Sequence, residues 1–345
     1  MKKSNTSSQT PIHFIIGPGR CGTTLLMMLF NNNENIISSP ELKHIVYFYE
    51  KYHQCESFNT NVKDEFVKYF KELKNASLNP LIKYKEENIQ EISSAKTYAE
   101  FCIKVHQALH NNFSAHTIID KNPYYSFYFD LLHNLFPEAK FLFLVRDYRG
   151  FINSHLNSTH QFQKKRSTTF YAVIWNEYVS RYFKIKKQYP ESIMLIKMEE
   201  LVSHPEKVYQ QICAYLSIDY NSEVFHYKEK LSKELNDFEK YKTTHPRIYK
   251  KMTDLIKPIT NEHVHNWKTS MSKNKIAKSD VICSNMGENL GYKAISNYSM
   301  PFALWTKTTA LPRLLLAKIY FKFMNIRLYH SIKIKRQINF KINRN

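Results

Sequence analysis

Glycine is nearly missing from this sequence, with 6 in 345 residues, and half of them, Gly17, Gly19 and Gly22, crowd into one short loop. Cysteine is also sparse: Cys21, Cys55, Cys102, Cys213 and Cys283 are odd in number, widely spaced and form no C-x-x-C pair. That pattern excludes a disulfide framework and a thiolate zinc cluster, and it suits free thiols in a reducing, cytoplasmic compartment. The first eleven residues have no apolar core, so they read as a disordered N-terminus without a secretory signal. Leu311 to Tyr329 is interrupted by Arg313, Lys318, Lys322 and Arg327, which leaves no run of about 20 apolar residues for a membrane span. No Pro/Gly/Ser-rich linker divides residues 12–295, and one domain is expected over residues 12–299. Residues 300–345 form a basic, aromatic-rich extension.

What is present is positive charge. The formal net charge is +20, and residues 301–345 carry ten Lys or Arg with no Asp or Glu, hence half of it. A basic balance points to polyanionic partners without choosing among them. Hydrophobic residues make up 43%, enough for a sizeable core.

Short apolar runs alternate with helical patterns. Strands are expected at His13–Ile16, Ile36–Ser39, His116–Asp120, Lys140–Val145 and Ser192–Met198, the last two buried on both faces. Helices are expected at Glu41–Tyr52, Lys63–Lys74, Thr97–Phe113, Phe127–Leu135, from about Gly150, and at Thr168–Gln188, Pro205–Leu216 and Ile276–Leu290; Lys74–Glu91 reads as a polar insertion. The alternation implies an α/β, P-loop-type three-layer domain: a central parallel sheet flanked by helices. The basic extension adds a C-terminal helix.

Gly17-Pro-Gly-Arg-Cys-Gly-Thr-Thr24 joins the first strand to the first helix. Unpaired N–H groups at a helix start, with the helix dipole behind them, attract anions. Thr23 and Thr24 add hydroxyls and Arg20 adds charge. The spacing resembles the nucleotide-triphosphate loop G-x-x-x-x-G-K-[ST], but Thr23 stands where Lys would reach the terminal phosphates. Asp120 is a weak candidate for a magnesium-holding acid. A purely structural strand–helix turn is the plain alternative.

Arg20-Cys-Gly-Thr-Thr-Leu25 resembles the 5′-phosphosulfate loop of the sulfotransferases that use 3′-phosphoadenylyl sulfate (PAPS), usually written R-x-G-T-T-L. Phe136 to Arg149 resembles the family's strand ending in V-R-D-P-R, and Ser154 comes after Arg146 by the family's eight residues. Asp120-Lys-Asn-Pro123, Ile196 to Pro205, Trp267 and Leu290-Gly-Tyr292 resemble further family stretches in the same order. The likeness covers roughly residues 12–295 and is closest to the branch that includes tyrosylprotein sulfotransferases. It implies PAPS as cosubstrate, held by Gly17, Gly19, Arg20, Cys21, Gly22, Thr23 and Thr24 at its 5′ end. Arg146 and Ser154 would hold its 3′-phosphate, and Tyr292 would lie in the nucleotide-contacting region. No metal is expected. Tyr148 replaces the family's proline, which is expected to loosen the turn, and Cys21 replaces its serine.

Sulfuryl transfer depends on positioning and on stabilising charge at the leaving phosphate. Lys121 and Arg20 are the candidates for that task; the alternative for Lys121 is a solvated lysine after a strand. Glu41, 21 residues after Arg20, is the candidate general base by resemblance to the tyrosylprotein branch, or else an idle helix N-terminal acid. His44 is a second candidate base, Lys43 a contact for an acidic acceptor, and His155 reads as structural. The alternative for Arg146 is an ion pair with Asp147. For residues 301–345 three readings stay open: a helix packed on the domain, peripheral contact with an anionic membrane, and nucleic-acid binding, the weakest of the three.

The expected activity is therefore transfer of a sulfuryl group from PAPS to a hydroxyl-bearing acceptor. The rivals are an ATP-dependent P-loop kinase or nucleotidase, and a non-catalytic polyanion- or membrane-binding protein with the same fold.

Overall fold

The computed structural model describes residues 10–323, apart from 56, 59–63, 67–84, 158–165 and most of 230–263. Nearly all of the expected N-terminal disorder, most of the expected Lys63–Lys74 helix, much of the polar insertion and the chain after 323 lie outside the described residues.

Five parallel strands form one sheet: β1 (Ile12–Ile16), β2 (Ile36–Ser39), β3 (Thr117–Lys121), β4 (Phe141–Val145) and β5 (Ile193–Lys197), in the order β2-β3-β1-β4-β5. Every residue of β1 and β4 is buried, as expected of apolar runs in the middle of a covered parallel sheet. Phe14 stacks on Phe141 across that pair, ring centroids 5.1 Å apart, and meets the edge of Tyr125 at 5.8 Å. β5 is only partly buried, contrary to the sequence expectation. It pairs with β4 alone and forms one edge of the sheet; β2 at the other edge is fully buried.

The flanking helices are α1 (Thr23–Asn31), α2 (His44–Tyr52), α3 (Tyr98–His110), α4 (Phe129–Leu135), α5 (Tyr148–Leu156), α6 (Thr168–Gln188), α7 (Met198–Ser203), α8 (Pro205–Leu216), α9 (Lys273–Glu288) and α10 (Met300–Phe323). Their starts obey capping chemistry. Thr97, Asp147, Ser167 and Ser272 each accept a backbone N–H of the first turn, and α8 opens with Pro205.

The strand order decides where function collects. The connection from β1 runs out to β2 at one edge, β3 returns beside β1, and the chain then crosses to β4 and β5 on the other side. Loops leaving the carboxyl ends of strands on either side of such a switch face one crevice. Along that edge lie, in spatial order, Glu41 after β2, Lys121 at the end of β3, the glycine loop after β1, Arg146 after β4 and Glu199 after β5.

Candidate functional site

The glycine loop is held tightly on its sheet side. Gly17 has φ 119°, and a Cβ there would sit 2.2 Å from the carbonyl oxygen of Leu144, so only glycine fits. Its N–H donates to Ser126 Oγ at 2.9 Å. Arg20 also adopts a left-handed backbone, φ 68°. Gly22, φ 85°, stands at the N-cap of α1, and no side chain caps that helix. Its first turn also has no acidic residue, so no side-chain charge offsets the positive end of the dipole there. At Gly19 an added Cβ would meet nothing within 4 Å, so the loop's outer side is open. Thr23 is buried at the helix start and Thr24 is half-buried.

Lys121 is the last residue of β3, which runs one residue further than the sequence suggested, and it is in register with Ile15 of β1. It is 1% exposed, which rules out the solvated lysine. Its Nζ donates to Glu41 Oε1 at 2.7 Å. Glu41 precedes α2 and does not belong to it, because α2 begins only at His44. The segment is pinned from afar: the carbonyl of Leu42 accepts from Asn122 Nδ2 at 3.0 Å and from Tyr125 Oη at 2.9 Å. Asn122 precedes Pro123 and is extended, with φ −145° and ψ 101°. These clamps were not among the sequence candidates; the Asn-Pro-Tyr-Tyr run after Lys121 was their only signal.

Beyond the loop, Arg20 Nε donates to Ser154 Oγ at 3.0 Å, joining the two expected anion sites directly. Arg146 is 5% exposed; its Nη2 donates to the carbonyl of Val264 at 2.9 Å. Its side chain lies over Gly150, where a Cβ would come within 2.5 Å of Nε. Cys21 is buried, and burial pushes its thiol pKa well up, against the opposing charge of nearby Arg146.

Asp147 pairs with Arg149, not with Arg146. Arg149 reaches both carboxylate oxygens, at 2.9 and 2.8 Å. The Arg149 guanidinium lies between the rings of Tyr148 and Trp267, 4.7 and 4.4 Å from their centroids. Tyr148, expected to loosen this turn, anchors it instead. It is fully buried and donates its hydroxyl to Asp280 at 2.7 Å. Burial and the Asp280 carboxylate both raise the phenol's pKa. On the β5 side Glu199 accepts from the Asp147 N–H and from Tyr292 Oη, each at 2.9 Å. Tyr292 is therefore buried and fixed beside the exit of β4. Glu199, which sequence reasoning missed as a positioning group, sits in the Lys-Met-Glu-Glu-Leu stretch.

A cavity of about 400 Å³ opens next to Gly19 and Glu41. Its walls are mainly aromatic, from Tyr47, Tyr124, Tyr125, Tyr128, Phe151 and Tyr178, with Lys43 and His155 supplying polar edges. His155, read as structural from the sequence, is part of this wall and stacks on Tyr171 at 4.6 Å.

His44 and Asp120 lie elsewhere. His44 is fully buried with its ring 4.6 Å from that of His106. His106 Nε2 lies 3.5 Å from Asp120 Oδ2, and its Nδ1 is 2.8 Å from Ser39 Oγ. Burial lowers the His44 pKa well below 6.5 and that of His106 to about 3, and it raises that of Asp120. This buried cluster belongs to the core.

Comparison with known proteins agrees with this geometry. The chain is 23% identical over 272 residues to the protein-tyrosine sulfotransferase of Drosophila melanogaster, covering 75% of this chain and 47% of that protein. It is 22% identical over 185 residues to protein-tyrosine sulfotransferase 1 of Danio rerio, covering 53% and 50%. The chain thus spans about half the length of the curated relatives it matches. Among solved structures, the sulfotransferase domain of the Synechococcus PCC 7002 olefin synthase superposes with TM-score 0.50 at 18% identity, over 85% of this chain and 98% of that one. The sulfotransferase domain from the curacin biosynthetic pathway does so with TM-score 0.51 at 19% identity, over 84% and 100%. At such identities these two establish the shared fold. The family model described as "Sulfotransferase family" matches residues 11–222, more than half of the chain. With a glycine loop, a buried lysine and a strand-end arginine set along one sheet edge, the chain belongs to the sulfotransferase family.

Proposed function

We propose that the chain transfers a sulfuryl group from PAPS onto a hydroxyl-bearing acceptor and releases adenosine 3′,5′-bisphosphate. The observation that carries this reading is the joining of the glycine loop to the α5 helix by Arg20 and Ser154, 3.0 Å apart, beside the Lys121–Glu41 pair. One cluster can thus grip a nucleotide by two anionic ends while a lysine and a carboxylate stand at the reacting end.

The residues present suit such a cosubstrate. The uncapped start of α1 and the open side of Gly19 would receive the 5′-phosphosulfate. Ser154, with Arg20 and the neighbouring Arg146, would receive the 3′-phosphate. In the reaction the acceptor oxygen attacks sulfur, Glu41 takes the hydroxyl proton, and the bond from sulfur to the bridging phosphate oxygen breaks. Lys121 and Arg20 would stabilise the charge that gathers on the leaving phosphate. The aromatic cavity beside Glu41 favours a flat acceptor such as a phenol, and Lys43 at its rim favours an acid near the hydroxyl. The named activity of the curated relatives, on protein tyrosine, is consistent with that preference.

Calorimetry tests the nucleotide half of the proposal: adenosine 3′,5′-bisphosphate should bind far more tightly than AMP or ATP, without magnesium. Equal affinity for AMP would remove the 3′-phosphate assignment. Incubation with labelled PAPS and tyrosyl peptides with and without neighbouring acids tests the acceptor half.

A further inference from the structure

The α10 helix is packed inside out. Its protein-facing seam against α6 and α9 is built from small residues seven apart, Ala303, Ala310 and Ala317, with Thr306 between them. Apart from Phe302 and Leu314, which are partly buried, its large apolar side chains face outward. Met300 is 83% exposed, Leu304 66%, Trp305 69%, Leu315 52%, Leu316 66% and Ile319 50%. At 3.6 residues per turn these span an arc of roughly 160° around the helix. Lys307 and Lys318 border the arc on one side and Arg313 on the other, all exposed; Lys318 also feels Glu177 of α6. Continuous apolar surface of this extent with a charged rim marks a contact surface.

We propose that this outer face of α10 seats the protein on an anionic lipid surface, lying parallel to it. Trp305 and the leucines would enter the acyl boundary, while Lys307, Lys318 and Arg313 reach the headgroups. Charge chooses the occupant. From residue 301 to the end there are ten Lys or Arg and no acid, so two copies placed face to face would oppose like charges. An anionic bilayer supplies both the apolar phase and the countercharge. Among the described residues no helix is long and apolar enough to cross a membrane, which matches a helix that lies on one. The inference is independent of the proposed reaction.

The test is flotation of the full chain with vesicles of phosphatidylcholine alone, and with about a third phosphatidylserine. The chain should float with the anionic vesicles, partition roughly tenfold less onto neutral ones, and lose binding as salt rises. The tryptophan emission should shift to the blue on binding, and Trp305→Ala should abolish the shift. Replacing two outward leucines together, Leu304→Glu and Leu315→Glu, should lower partitioning by roughly tenfold or more, with the thermal transition unchanged. Undiminished flotation of that double variant would show that basic charge alone is responsible and would overturn the proposal. So would absence of flotation, or a dimer in the ultracentrifuge that the same pair of substitutions splits.

Discussion

Lys121 Nζ lies 2.7 Å from Glu41 Oε1, and the two side chains are unequally placed: lysine 1% exposed, glutamate 52%. A buried ammonium needs its partner, whereas a half-exposed carboxylate can turn toward water or a substrate. The lysine is the fixed element and the glutamate the one that can meet an incoming hydroxyl. Glu41→Gln should therefore keep nucleotide affinity and lower kcat by about 10²–10⁴. A normal rate would place the base elsewhere.

The same pair should act as a unit. Lys121→Met, which fills the space without charge, should lower kcat sharply. Adding Glu41→Gln to it should cost much less than either change alone would suggest. Single-turnover kinetics on the two single variants and the double variant would settle the coupling. Strict additivity would separate the two roles.

Arg20 and Ser154 predict a selective binding defect. Ser154→Ala should weaken adenosine 3′,5′-bisphosphate by about tenfold and leave AMP nearly unchanged. Arg20→Ala should weaken both, because Arg20 belongs to the loop as well as to the link. Titration calorimetry with the two nucleotides reads the difference.

Two glycines of one loop should respond in opposite ways. Gly17→Ala forces a Cβ onto the Leu144 carbonyl at a left-handed φ, and should destabilise the fold by more than about 2 kcal/mol in urea unfolding. Gly19→Ala meets no protein atom, so its stability should match the parent. Its nucleotide affinity should fall if the open side is where the anion lies.

Acid should act on the buried titratable groups in two directions. His106 and His13 are held down, to about 3 and about 4, chiefly by burial. Unfolding lets them take up protons below 6.5, so their contribution is present above that pH and is lost as pH falls toward 4. Asp120 is raised by burial, so its contribution is present below 3.8 and is lost as pH rises. Asp120→Asn removes only the second effect. It should raise stability at about pH 8, with the gain shrinking toward about pH 4. A pH-independent difference in urea unfolding would argue against a neutral Asp120.

Much of this was legible in sequence, and for local reasons. The bounds of α6 and α8 come from a Ser cap at 167 and from Pro205, which fix helix starts without help from elsewhere. The β4 run is apolar throughout because both its faces are covered. The glycine loop and Arg146 carry their chemistry in their residue types. What was hidden depends on distant partners. α2 begins at His44 because Asn122 and Tyr125 take the Leu42 carbonyl, contacts 80 and 83 residues away. Tyr148 anchors its turn only because Asp280 lies 132 residues on. The aromatic cavity draws on five separate segments of chain, so no single stretch announces it.

Asp280 also bears on how the chain could be shortened. One carboxylate oxygen holds Tyr148, while the other accepts the backbone N–H groups of Ile295 and Ser296, at 3.0 and 2.9 Å. The stretch after Gly291 is thus latched onto Asp280, and ending the gene at codon 291 would take both backbone donors from one buried oxygen of that carboxylate, leaving it only Tyr148 and Arg149 on the other. A stop placed after Asn297 keeps the latch and discards only α10 and the basic residues beyond it, so the two parts can be separated by choosing where translation ends.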